Sequence, residues 1–233
     1  MMLKVILSGI LLSAALSLNA QSTIVSIPSS DAASMGSIYV RSDNTYNPKF
    51  HNYSSTPNFM FGIGKGSELD LNFNTLSYPF IQTLAIESGF KTAGQLISRP
   101  TPDGKFNNGL ILYGGAKFVN AIRNSPTDFS EFTYTATSLI YYRNRFTSGA
   151  WDSQNYTDKS NRSGAMVGYE FTFNPNVIGA IDWSTGHGTN GYTSFAFEFL
   201  KGRWMIQPGY QLGNIGVHQG NHQALLSIQF KIK

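Results

Sequence analysis

Cysteine is absent from all 233 residues, which excludes a disulfide framework and any thiolate metal site. Charge is scarce as well. Asp, Glu, Lys and Arg make up 13% of the chain, about half the share usual in soluble domains. The 17 basic and 13 acidic side chains leave a net charge of +4, without the basic runs that nucleic-acid binding requires. Long apolar runs have not replaced the missing charge, because the mean hydropathy is -0.16. The space is filled by polar uncharged residues, 23 Gly, 12 Tyr and 17 Phe. So many aromatics argue against disorder, and the shortage of Ala, Glu, Lys and Leu patterning argues against a helical bundle.

The first twenty residues read as an export address. Lys4 precedes the apolar run Val5 to Leu16, and Ser17-Leu18-Asn19-Ala20 closes it. A basic start, an apolar centre and a small residue at the cut form a secretory signal. The alternative, a membrane anchor, is disfavoured because the run is short for ~30 Å of hydrocarbon. Two segments follow: a signal peptide over 1–20, cleaved near Ala20, and one folded domain over 21–233. No cysteine follows the cut, so the mature chain carries no lipoprotein anchor.

Beyond Gln21 the dominant period is two, the signature of strands. In Ser67-Glu68-Leu69-Asp70-Leu71-Asn72-Phe73-Asn74 apolar and polar residues alternate without a break. Phe195, Phe197 and Phe199 alternate with Ser194, Ala196 and Glu198, and the last strand sets Leu226, Ile228 and Phe230 against Ser227, Gln229 and Lys231. Twelve such runs are predicted, over 38–43, 56–64, 67–75, 81–91, 109–119, 130–142, 145–151, 163–173, 177–184, 191–200, 203–212 and 222–232. Ten strands result if the weaker runs are dropped; 145–151 has the weakest pattern. Connectors alternate in length between short turns and longer loops, as in bacterial outer-membrane barrels. The segment 92–108 breaks that rule: it is predicted as a long connector that caps or enters the mouth.

The alternation also sorts the charges. It places Arg41, Glu68, Asp70, Glu87, Lys91, Lys117, Arg143, Glu170, Asp182, Glu198, Arg203 and Lys231 opposite the apolar side. A soluble sandwich has no need for so clean and aromatic a face on every strand. Lipid does, since Arg or Lys facing the bilayer midplane costs ~2–4 kcal/mol. Trp183, Trp204, Phe199, Tyr142 and Phe173 lie near strand ends, where aromatics form interfacial girdles. The expected fold is therefore all-β: a transmembrane antiparallel up-and-down β-barrel of about twelve strands, its termini on the periplasmic side.

This pattern, signal included, resembles a bacterial outer-membrane β-barrel. Gln223 to Lys233 resembles the C-terminal strand read by the barrel-assembly machinery, although it ends in Lys233 and Phe230 is the nearest aromatic. The segments Gly-Lys-Gly-Ser-Glu-Leu-Asp-Leu (64–71) and Asn-Pro-Asn-Val-Ile-Gly-Ala-Ile-Asp (174–182) resemble strand–turn–strand units of small transporter-like barrels, including channel proteins of the phenol meta-pathway type. The resemblance implies an outer-membrane location, lipid and the assembly machinery as partners, and passage of small solutes.

Function must come from the lumen or the loops. The predicted lumen carries the twelve charges with Tyr39, Tyr113 and Tyr141, and neither sign dominates. It reads equally as a narrow pore for a small solute or as an interior ion-pair network that fills the barrel. His51, His187, His218 and His222 fall on or beside the long-loop rim. His218 and His222 are spaced so that a turn could aim both at one metal, though ordinary polar loop residues explain them as simply. A hydrolase would need His187 or His222 beside Ser184, Ser194 or Asp182, yet no Gly-x-Ser-x-Gly elbow surrounds any of them. Neither a P-loop nor a dinucleotide fingerprint is present. No cofactor, catalytic residue, metal site or nucleic-acid partner is expected. A passive channel is the leading expectation; a rim hydrolase acting on lipid or peptide, and a structural or adhesive barrel without an open pore, are the alternatives.

Overall fold

A computed structural model describes residues 24–74, 76–78, 85–100, 107–121, 129–156, 160–186, 191–216 and 221–233. The predicted signal segment, 1–20, lies outside them. The strands are β1 (Ile38–Asn47), β2 (Asn52–Gly64), β3 (Ser67–Asn74), β4 (Leu76–Tyr78), β5 (Ala85–Pro100), β6 (Asn107–Ala121), β7 (Phe129–Tyr141), β8 (Asn144–Asn155), β9 (Ser160–Asn174), β10 (Val177–Ser184), β11 (Tyr192–Lys201), β12 (Trp204–Gly213) and β13 (Gln223–Lys231). β3 and β4 both pair with β2, at Phe59↔Leu71 and Ser54↔Ser77, and are two pieces of one barrel strand.

Every strand pairs antiparallel with its sequence neighbour. The first strand then pairs with the last, Val40 opposite Phe230, and with the second, Val40 opposite Phe59. The sheet is a closed twelve-stranded up-and-down barrel. Closure leaves no row of unpaired amides at an edge, the condition for backbone to lie in hydrocarbon.

Two-residue turns mark one rim. Lys65-Gly66 places Gly66 at φ 73°, Gly202-Arg203 places Gly202 at φ 60°, and Tyr142-Arg143 places Tyr142 at φ 53°. At Pro175-Asn176 the Asn174 side chain accepts the Asn176 amide at 2.8 Å, an Asx arrangement that closes the reversal locally. The chain enters β1 and leaves β13 at this same rim, Ile38 donating to the Lys233 carbonyl at 3.2 Å.

One expectation needs correction, and one predicted run proves longer than expected. The segment 92–108 is not a long connector: β5 and β6 stay paired as far as Pro100↔Asn107, leaving only 101–106 between them. Pro100 sits at the end of the ladder, where a missing amide costs nothing. The weak run 145–151 is a full strand, Asn144–Asn155, with Thr147 and Trp151 buried and Phe146 exposed. Small residues such as Gly149 and Ala150 blur its alternation without breaking it.

The outer surface is a continuous apolar band. Leu69, Phe90, Leu112, Leu139, Phe146, Val167, Ile181, Phe195, Phe197, Phe199, Ile206 and Leu226 are each more than a third exposed. In water such a surface would drive association; in lipid it is solvated. Phe197 occupies the middle of β11 and is 50% exposed. Phe197→Arg is expected to destabilise the barrel in phospholipid by about 2–4 kcal/mol. Reversible urea unfolding in vesicles measures this, and an unchanged midpoint would place Phe197 away from hydrocarbon.

Candidate functional site

The side chains opposite the apolar band enclose a lumen, and a part of the chain that belongs to no strand occupies it. Before β1, residues 24–36 pass inward from the short-turn rim, touching strands on all sides. Gly36 donates to the Gly62 carbonyl at 2.8 Å, and Gly62 donates to the Ser37 carbonyl at 3.0 Å. Deeper in, the Ala33 amide donates to Glu68 Oε2 at 2.6 Å. Asp31 accepts two hydrogen bonds from Arg145, 2.6 Å from Nη1 to Oδ2 and 3.0 Å from Nη2 to Oδ1. This parallel pair is the strongest common ion-pair geometry. The Asp31 carbonyl accepts from Lys91 Nζ, and the Pro28 carbonyl accepts from the Tyr113 hydroxyl at 2.8 Å.

At its far end the segment folds into a tight turn, Ile24 donating to the Ile27 carbonyl at 2.7 Å. The Asp182 carboxylate lies against that turn. One oxygen accepts the backbone amides of Val25, Ser26 and Ile27 at 2.9, 2.7 and 3.1 Å, and the other accepts the Ser26 hydroxyl at 2.7 Å. Consecutive amides converging on one carboxylate form a nest, an anion site made of backbone. Ser26 Oγ also meets Ser194 Oγ at 2.9 Å, and the Ile24 carbonyl accepts from Gln207 Nε2 at 2.6 Å.

The contacts are apolar as well as polar. Ile24 and Ile27 are buried in a cluster with Tyr113, Tyr134, Ala136, Trp151, Met166 and Ala180, and Ala33 packs with Tyr39 and Met60. Inward-facing glycines make the room. A β-carbon on Gly168 would stand 2.7 Å from Ile24 Cδ1, and one on Gly62 would overlap the Ser34 carbonyl oxygen.

Around the segment lie the predicted lumen charges. Arg41, Glu68, Asp70, Lys91, Glu170, Asp182 and Glu198 are buried. Lys91 pairs with Glu68 at 2.7 Å, Lys117 with Glu87 at 3.0 Å, and Arg145 with Glu170 at 3.3 Å. Arg41 bonds Asp43 at 2.6 Å, and Ser227 at 3.1 Å. Lys231 stands with its ammonium 5.5 Å from the Tyr39 ring centre. Tyr39 and Tyr113 are buried, and both wall the apolar pockets that hold the segment.

Three predicted lumen residues lie elsewhere. Tyr141 is 57% exposed: in β7 the inward positions are Tyr134, Ala136 and Ser138, so residue 141 falls on the outer face. Arg143 and Arg203 are exposed in the short turns, where they donate to the Phe173 and Ile232 carbonyls, each at 3.2 Å. Alternation has no phase inside a reversal, so it assigned them a face they do not have. Arg145, one residue inside β8 and adjacent to the outward-facing Phe146, is a lumen charge that the sequence reading missed. The luminal segment was missed because it has no period. Its available signals were two isoleucines three residues apart and a single charge, Asp31, in a run of Ser, Ala and Pro.

The rim histidines separate. His187 and His218 lie outside the described residues. His51 approaches the Tyr46 hydroxyl at 3.4 Å, and His222 packs beside Tyr210. Among the described residues no group of three or more His, Asp or Glu is close enough to hold a metal. The hydrolase candidates have other partners: Asp182 and Ser194 are engaged by the luminal segment, and the Ser184 hydroxyl accepts the Gly191 amide at 3.3 Å.

No protein-family model matches the sequence, and no curated protein matches it. Solved structures do. One is the KdgM porin in complex with disordered oligogalacturonate, with a TM-score of 0.58 and 10% identity over 84% of this chain and 99% of that one. Another is the NanC porin, with a TM-score of 0.54 and 10% identity over 83% and 99%. At that identity the likeness is one of fold: the chain is a closed twelve-stranded barrel of the kind built by outer-membrane porins.

Proposed function

We propose that the protein resides in the outer membrane of a Gram-negative bacterium as a passive channel for small solutes. The observation that carries this reading is the inversion of the barrel. Phe197, Phe199 and Ile181 face outward, whereas Lys91–Glu68 and Lys117–Glu87 face inward. A soluble barrel would hide the first set and wet the second, while a membrane channel needs the reverse. The fold shared with two porins supports the same reading. Ion pairs inside give the lumen polar walls without a strong preference for either sign of solute.

Export through the signal at 1–20, cleavage near Ala20 and recognition of β13 by the barrel-assembly machinery complete the proposal. Non-enzymatic action fits too, since both porins are channels.

Liposome swelling and planar-bilayer conductance test it. The purified chain is expected to admit small neutral solutes and to conduct in discrete steps. Failure of the full chain and of Asp182→Ala to pass any solute would overturn the channel and leave a structural or adhesive barrel.

A further inference from the structure

We propose that residues 24–36 are a reversibly bound internal ligand of the lumen, a gate seated in a peptide-binding site built from the barrel wall. Its consequence for permeation rests on the channel reading above; its binding does not. The site is specific at each level. Glu68 takes the Ala33 amide, Arg145 takes the Asp31 carboxylate, Tyr113 takes the Pro28 carbonyl, and Asp182 takes the turn at Val25–Ile27. Gly62 and Gly168 leave open the volume that the segment fills.

The same contacts make release feasible. Apart from a single bridge at Pro28 and the Gly36 amide on the Gly62 carbonyl, the segment makes no strand pairing, so withdrawing it dismantles no sheet. Besides the apolar contacts of Ile24, Ile27 and Ala33, its anchors are hydrogen bonds and one ion pair. Inside a polar lumen, water can replace these on both partners, so breaking them leaves no group unsatisfied. It joins β1 at the short-turn rim, where Gly36 and Ser37 are held by Gly62 and Ser34, and this junction serves as the hinge. Rotation there carries residues 24–33 out of the lumen without disturbing Ile38 and the strand that follows.

Ser26 and Ser194 provide the test. Their hydroxyl oxygens are 2.9 Å apart, close enough for a disulfide between the two positions, and the chain has no cysteine of its own. In the full-length chain in lipid vesicles, Ser194→Cys alone reports opening through reaction with a charged methanethiosulfonate reagent. Ser194 is fully buried, so the expected rate is between roughly one-thousandth and one-tenth that of an exposed thiol, as befits a minor open state. Ser26→Cys combined with Ser194→Cys is expected to fall silent in conductance when oxidised and to recover on reduction.

No reaction at Ser194→Cys, under conditions that label Met35→Cys at the mouth, would overturn the proposal. Conductance that is measurable and equal in the oxidised and reduced double variant would overturn it as well. Labelling without permeation in either redox state would support reversible binding and tell against the channel reading alone.

Discussion

Asp182→Ala is expected to loosen the luminal segment more than any other single loss of a polar contact. The carboxylate accepts three backbone amides and one hydroxyl from consecutive residues. Hydrogen bonds to a charged group contribute about 1.5–3 kcal/mol each, but lumen water compensates much of this on release. A net loss of about 2–4 kcal/mol is expected, or roughly 30- to 1000-fold in the docking equilibrium. Amide hydrogen exchange at Val25, Ser26 and Ile27 should accelerate by that factor, while exchange in β10 and β11 stays slow. Asp182→Asn, which retains one acceptor oxygen, should fall between the two. Unchanged protection at these amides would show that the isoleucine contacts alone hold the turn in place.

Gly62→Val acts at the hinge and through sterics. Gly62 exchanges hydrogen bonds with Gly36 and Ser37, and an added β-carbon would also stand 2.6 Å from the Ser34 carbonyl carbon and 2.8 Å from the Ala33 oxygen. Backbone meets backbone there, so no side-chain rotation relieves the contact. β2 cannot retreat, because its ladders bind it to β1 and β3 on either side. The segment has to move. Overpacking of this kind costs about 1–3 kcal/mol, so proteolysis within 24–36 is expected to speed up by roughly 5- to 150-fold. The barrel itself should keep its heat-modifiable mobility in cold detergent. Phe61→Val, one residue away on the outer face, is the control and should leave cleavage unchanged. If Gly62→Val abolished the folded band, the close approach would belong to barrel assembly instead of the segment.

The two substitutions separate the forces that seat the segment. Asp182 tests attraction at its tip, and Gly62 tests room at its base. Electrostatic contacts weaken gradually as water replaces them, whereas steric overlap acts as soon as the volume is filled. The first should therefore change how often the segment leaves, and the second where its base can sit.

Much of the barrel was readable because a strand in lipid obeys a local rule. Each residue faces either hydrocarbon or lumen, and the cost of the wrong choice is borne residue by residue. Phe195, Phe197 and Phe199 on one face and Glu198 on the other need no knowledge of the neighbouring strand. The same rule failed where alternation stops. At Tyr142-Arg143 and Gly202-Arg203 the backbone reverses, and Arg143 and Arg203 lie on the rim. One residue into β8, Arg145 turns inward and captures Asp31 across 114 positions of sequence.

The sequence by itself determined that the chain alternates, that its apolar face is free of charge, and that about twelve strands result. Period two is written in adjacent residues. Only the tertiary structure decided which carboxylate meets which amide, and that the stretch before β1 fills the barrel it precedes. Those contacts join Val25 to Asp182 and Pro28 to Tyr113, residues brought together by closure of the cylinder. No local pattern encodes that proximity, because it exists only after the first strand has found the last.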